Sequence, residues 1–175
     1  MPSDLQMKSK IILGIDPGYG RVGIAVIKNE RGNQTLLHSE CFETSSDLPH
    51  SQRLLLIGEK IKEAIKTYKP DQVAVETLLW SKNKKTALQV AEARGVILLE
   101  VARQKIILRE FNPNQIKLAV TGYGKSDKKQ VIDMIEKLVK LKPNVCNQKR
   151  HDDEYDAIAI AITCAVISLS TDILV

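Results

Sequence analysis

The chain has no long hydrophobic run, few cysteines and few aromatic side chains, and each shortage excludes something. Its longest apolar stretch, 157–169, is too short to cross a bilayer and reads instead as a buried helix. Three cysteines, Cys41, Cys146 and Cys164, are an odd number with no C-x-x-C spacing, which argues against a disulfide framework and against a structural zinc site. A reducing compartment is therefore expected. The first ten residues mix Asp4, Lys8 and Lys10 with polar groups and lack the apolar core of a signal peptide, so a cytoplasmic protein is expected, with 1–9 a flexible extension. No internal repeat, low-complexity tract or long linker divides the 175 residues. One domain over 1–175 is expected, large enough to bury a core without staples.

Charge of one sign is only slightly in excess. Lys and Arg number 26 against 21 Asp and Glu, for a net +5 and a pI near 9.1. That suggests a polyanionic partner without proving one.

Strand patterns cover 10–16, 21–28 and 35–42, separated by turns carrying Gly18, Gly20, Arg31, Gly32 and Asn33, as in an antiparallel meander. Leu54, Leu55, Ile57, Ile61 and Ile65 then recur close to a 3.6-residue period, predicting a helix over 51–68. Lys69-Pro70-Asp71 stops that helix and starts a buried strand over 72–76. The second half alternates: a helix over 86–103, a strand over 105–111, a helix capped by Asn112-Pro113 and stopped by Gly122, a helix over 127–141 and a last helix over 153–169. The expectation is an α/β domain with one mixed five-stranded sheet, a meander followed by β-α-β crossovers, flanked by helices.

Two glycine motifs imitate nucleotide sites. Gly18-Tyr19-Gly20-Arg21-Val22-Gly23 fits G-x-G-x-x-G, but such a site needs a helix to open at the glycines, and Val22 to Ile27 continues as β-type sequence. A strand-to-strand turn is the expected reading. Gly122-Tyr123-Gly124-Lys125-Ser126 resembles the end of a phosphate loop, yet its first glycine position holds Ala119.

Four acids stand where different elements reach one sheet edge: Asp16 ending the first strand, Glu76 ending the fourth, and Asp153 with Asp156 opening the last helix. Singly, turn chemistry accounts for Asp16, a solvated strand end for Glu76 and helix initiation for Asp153. Together they describe a metal site, because buried carboxylates need compensating charge and hard divalent cations favour carboxylate oxygens. Strands one and four of such a sheet are neighbours, and Asp153 and Asp156 share a helix face with Cβ atoms about 5–6 Å apart. Asp152 is also within helical reach of Asp156, which leaves Asp152 or Asp153 open as the fourth ligand. His151 precedes this helix and reads as a surface residue.

The segments Ile11-Ile12-Leu13-Gly14-Ile15-Asp16-Pro17-Gly18, Val75-Glu76 followed by Lys82-Asn83, Ala93-Arg94-Gly95, and Asp153-x-x-Asp156-Ala157-Ile158-Ala159 resemble the RuvC family of bacterial Holliday-junction resolvases, in order and spacing, across about 11–167. The resemblance implies a ribonuclease H-like fold, a homodimer, and Mg²⁺-dependent symmetric nicking of four-way junction DNA, with Mn²⁺ able to substitute. It also implies a link to the RuvA and RuvB branch-migration proteins. It places the metal-binding carboxylates, two ions per site, on Asp16, Glu76, Asp153 and Asp156, and the phosphate-contacting lysines on Lys117 and Lys128. Lys82, Lys84 and Lys85 fall on a DNA-facing segment. The junction wedge falls on Leu79 or on Trp80 beside it, since the aromatic expected three residues after the glutamate is leucine here. The turn Pro17-Gly18-Tyr19-Gly20-Arg21 also departs from the family pattern. Two alternatives share features of the sequence: a YqgF-type RNA nuclease, from Arg21-Val22-Gly23-Ile24-Ala25, and a lobe of an actin-like ATPase or sugar kinase, from Gly14-Ile15-Asp16-Pro17-Gly18. A junction-binding protein without catalysis is a third.

Overall fold

A computed structural model describes residues 9–78, 84–140 and 150–172. Three antiparallel strands, β1 (Lys10–Asp16), β2 (Arg21–Glu30) and β3 (Asn33–Glu43), open the fold as the expected meander. Arg31 and Gly32 both take positive φ in the two-residue turn between β2 and β3, the backbone twist that tight hairpins require. Helix α1 (His50–Tyr68) leads to β4 (Gln72–Glu76), then α2 (Lys84–Arg103), β5 (Ile107–Phe111), α3 (Pro113–Thr121), α4 (Lys128–Leu138), β6 (Val139–Lys140) and α5 (Asp152–Asp172). The sheet order is β5-β4-β1-β2-β3-β6, with β1, β4 and β5 parallel.

The five-stranded expectation is corrected to six. Val139 and Lys140, read as the end of a helix, pair in parallel with Gln34 and Thr35 of β3. Two residues are too few for a strand period, and Val139 extends the apolar face of α4, so only the tertiary pairing distinguishes them.

Caps fix where the later helices begin. Asn112 accepts from the Gln115 N–H while the Gln115 side chain accepts from the Asn112 N–H, and Asp127 and Gln130 repeat the arrangement before α4. Gly122, at φ 76°, ends α3 in the left-handed conformation. It is therefore a helix stop and not part of a phosphate loop, just as Gly18 to Gly23 is a turn running into β2.

Alternation along the strands divides the core between the two faces of the sheet. Leu13, Ile15, Ile24, Val26, Val73 and Val75 pack with Ile57 and Ile61 of α1 and Ile97 of α2. Ile12, Ala25, Ile27 and Ala74 pack on the opposite face with α3, α4 and the apolar length of α5. By the two-residue period Asp16 shares the face of Ile12, and Glu76 that of Ala74. Both carboxylates thus leave the sheet on the side where α5 begins. No described helix is long and apolar enough to cross a membrane.

Candidate functional site

The parallel pairing of Ile15 with Val75 sets the strand ends carrying Asp16 and Glu76 side by side. Arg94 of α2 secures the Glu76 end: its Nε donates to the Glu76 carbonyl at 3.1 Å, and its guanidinium pairs with Glu110 of β5. Helix α5 is laid against this edge by small residues. A Cβ on Gly14 would lie 2.3 Å from the Ala157 carbonyl oxygen and 2.8 Å from the Ala161 Cβ, and one on Gly23 would lie 2.0 Å from the Asp153 carbonyl oxygen. Side chains at either position would push the helix off the sheet, and Asp153 and Asp156 would move with it.

Electrostatics register the resulting cluster. Burial first, then the charges of Asp156, Glu76 and Asp153, push the Asp16 carboxyl up to about 8, with Lys128 partly opposing. Burial and Asp156 raise Glu76 to about 6. At about 8, the Asp16 carboxyl keeps its proton near neutrality when no cation is bound. A divalent cation relieves that repulsion, and an all-oxygen donor set suits Mg²⁺.

Neighbouring side chains hold Asp153 and Asp156 in different ways. Lys128, at the start of α4, donates to Asp156 at 2.9 Å and lies 3.5 Å from Asp152. Burial works against the lysine's charge, but Asp156 and Asp152 raise its pKa. Tyr155 ties α5 to α4 by donating to Glu136 at 3.0 Å. Asp153 faces β2 and β3 instead: its Oδ2 accepts from Arg21 Nε at 3.1 Å, takes the Cys41 thiol at 3.5 Å and lies 2.6 Å from His151 Nδ1. Ser39 of β3 donates to Glu154 at 2.7 Å, and Glu154 in turn accepts from the His151 N–H. Burial and Asp153 push the Cys41 thiol up to about 12.

The sequence-derived candidates divide accordingly. Glu76, Asp153 and Asp156 all come within electrostatic range of Asp16, Asp156 also of Glu76, and Lys128 joins them. Asp152 is largely exposed and turned to Lys128, and it is not among the charges that perturb Asp16. Lys117 is half-buried on α3 and makes no ion pair among the described residues. Leu79, Trp80 and Lys82 lie outside the described residues, and Lys84 and Lys85 begin α2 with side chains that are not described. Arg21, Cys41, His151 and Arg94 were not assigned to the site from sequence. In the sequence Arg21 stands out for its turn and for the YqgF-like segment it opens, and Cys41 only as one of an odd count of cysteines.

With this geometry in place, likeness to known proteins decides the family. Residues 12–164 match the family model described as crossover junction endodeoxyribonuclease RuvC. The chain belongs to the RuvC family. The RuvC of Petrotoga mobilis is 44% identical over 86% of this chain and 90% of its own length, and that of Thermosipho melanesiensis 43% over 89% and 96%. Among solved structures, Thermus thermophilus RuvC in complex with a Holliday junction substrate superimposes with a TM-score of 0.85 at 28% identity, covering 93% of this chain and 96% of that one. The ribonuclease H-like fold expected of a RuvC protein is thus the fold observed, and the YqgF-type and actin-like readings are not favoured.

Proposed function

We propose that this chain is a Mg²⁺-dependent, structure-selective endonuclease that resolves four-way DNA junctions by symmetric nicking of two strands, in recombination and repair. The observation that carries the reading is the meeting of Asp16, Glu76, Asp153 and Asp156 at one sheet edge in a RuvC-family chain. Burial, reinforced by the charges of Asp156, Glu76 and Asp153, drives Asp16 up to about 8, as a cation-free carboxylate site should display. These four residues would hold Mg²⁺, two ions per site, which when bound would supply Lewis-acid activation of water and charge stabilisation at the leaving 3′ oxygen. Asp16 and Glu76 offer oxygens from rigid strand ends, and Asp153 and Asp156 offer theirs from one face of α5. Lys128 neutralises charge beside Asp156 and, with Lys117, faces the phosphate backbone. Lys82, Lys84 and Lys85 extend that basic surface, and Leu79 or Trp80 enters the junction centre.

Two opposed strands call for a two-fold enzyme, so the active species is a homodimer. Support comes from α2, where Leu88 and Leu99 are 63% and 49% exposed and fall in line with exposed Ala91 and Gly95, an apolar stripe narrow enough for close helix approach. The protein works in the cytoplasm with the RuvA and RuvB branch-migration proteins. Incubation with labelled four-way junction, linear duplex and structured RNA, with and without Mg²⁺, tests the reading. Metal-dependent cutting of the junction alone supports it. Preferential cutting of RNA, or junction binding without cutting, overturns it.

A further inference from the structure

Cys41 of β3, His151 before α5 and Asp153 in the first turn of α5 bring a sulfur, an imidazole nitrogen and a carboxylate oxygen within 4.8 Å of one another. The four acids do not form so tight a group, because among the described residues no three of their oxygens fall within that span. Cys41 on β3 is more than a hundred residues from His151 and Asp153, so sequence proximity alone does not explain the convergence. Gly23 pairs with Cys41 across β2 and β3, and its missing side chain is what admits the Asp153 backbone beside the thiol.

The donors are mismatched as a simple hydrogen-bond network. His151 Nδ1 lies 3.3 Å from the Asp153 N–H, where it must accept, and 2.6 Å from Asp153 Oδ2, where it must donate. One nitrogen cannot do both at once. A cation between Nδ1, Sγ and Oδ2 lets the imidazole lone pair and the carboxylate point to the same atom. Tetrahedral zinc, with bonds of about 2.0–2.3 Å, needs donors separated by roughly 3.3–3.7 Å, so small side-chain rotations suffice. Arg21, half-exposed, is the group that must swing away from Oδ2.

We propose that Cys41, His151 and Asp153 form a second metal site, selective for a thiophilic divalent cation of the Zn²⁺ class, whose occupancy withdraws Asp153 from the nicking site and inhibits cleavage. Thiolate and imidazole favour Zn²⁺ over Mg²⁺, which prefers oxygen alone, so the two ions compete through their shared carboxylate and not for one identical site. Binding transfers the thiol proton to solvent and leaves the fourth position open to water. The inhibitory half rests on the assignment of Asp153 to the nicking site, whereas the binding half does not.

The test uses metal-stripped full-length protein. Co²⁺ titration should produce the near-ultraviolet thiolate-to-cobalt charge-transfer band, displaced by one equivalent of Zn²⁺ and absent from Cys41→Ser. In millimolar Mg²⁺, buffered micromolar Zn²⁺ should slow wild-type junction nicking at least about tenfold while Cys41→Ser, of unchanged melting temperature, stays nearly unaffected. Cys41→Ala repeats the comparison without a residual oxygen donor. No band in the wild type, or a band retained in both variants, overturns the site. Equal zinc inhibition of wild type and variants overturns the competition. A Cys41-dependent band in a protein that cuts nothing in Mg²⁺ supports the site and counts against the nuclease reading, so the two failures are distinguishable.

Discussion

Gly23 stands directly under the first turn of α5, where a Cβ would come within 2.0 Å of the Asp153 carbonyl oxygen and 2.7 Å of its carbon. The contact is with backbone on one side and with the Asp16 Cβ, at 3.2 Å, on the other, so no flexible side chain can yield. Gly23→Ala should cost about 1–3 kcal/mol through overpacking and lower the melting temperature by several degrees. It should also reduce nicking far more than that loss explains at assay temperature, because Asp153 and Asp156 move as a unit. Single-turnover rates beside a melting curve check this, and wild-type activity in a destabilised variant would contradict it.

The raised acids predict an unusual pH dependence of stability. Burial and three neighbouring carboxylates lift Asp16 from 3.8 to about 8, and Glu76 rises from 4.5 to about 6. A carboxyl raised on folding favours the folded state most below its unfolded pKa and loses that contribution as pH climbs through the folded value. Without metal, the melting temperature should therefore fall between about pH 4 and 8 on account of these groups. Mg²⁺ should restore more stability at pH 8 than at pH 6. Asp16→Asn should flatten the metal-free decline and exceed wild type at pH 8. Parallel curves for the two proteins would refute the clustering.

Lys117 and Lys128 should separate by pH. Lys128→Ala removes the cation that lowers the Asp16 pKa, so nicking should slow and its acid limb should move to higher pH. Lys117→Ala should slow nicking without moving that limb, since Lys117 has no ion pair with the acids. Rate profiles at saturating protein distinguish the two, and identical profiles for both variants would contradict the placement of Lys128.

Much of the site was legible because a period of two is hard to disguise. Ile12, Gly14 and Asp16 on one face, and Ala74 and Glu76 on the same face of the neighbouring strand, follow from counting once β1 and β4 are adjacent. The partners of Asp153 could not be counted. From the turn at Arg31 and Gly32, simple hairpin pairing sets Gly23 opposite Glu40 and turns Cys41 to the other face. The register shifts between Val26 and Ile27, pairing Gly23 with Cys41 instead. Nothing in the composition marks that irregularity. Likewise β6 exists only through its pairing with Gln34 and Thr35.

The α2 stripe yields a prediction about assembly. Leu99 is exposed and can accept a charge without harming the core. Leu99→Glu should leave the fold intact by circular dichroism, shift the protein from dimer to monomer in light scattering, and abolish paired nicking of opposed strands. A dimer unaffected by Leu99→Glu and by Leu88→Glu would move the interface elsewhere.

The most direct test of the account follows both nicks on a four-way junction labelled in two opposed strands, comparing wild type with Asp16→Asn in Mg²⁺ and without it. Wild type should cut both strands at symmetric positions only with Mg²⁺, while Asp16→Asn binds the junction with nearly unchanged affinity and cuts neither strand. Near wild-type cutting by Asp16→Asn, or metal-independent cutting by the wild type, would contradict it.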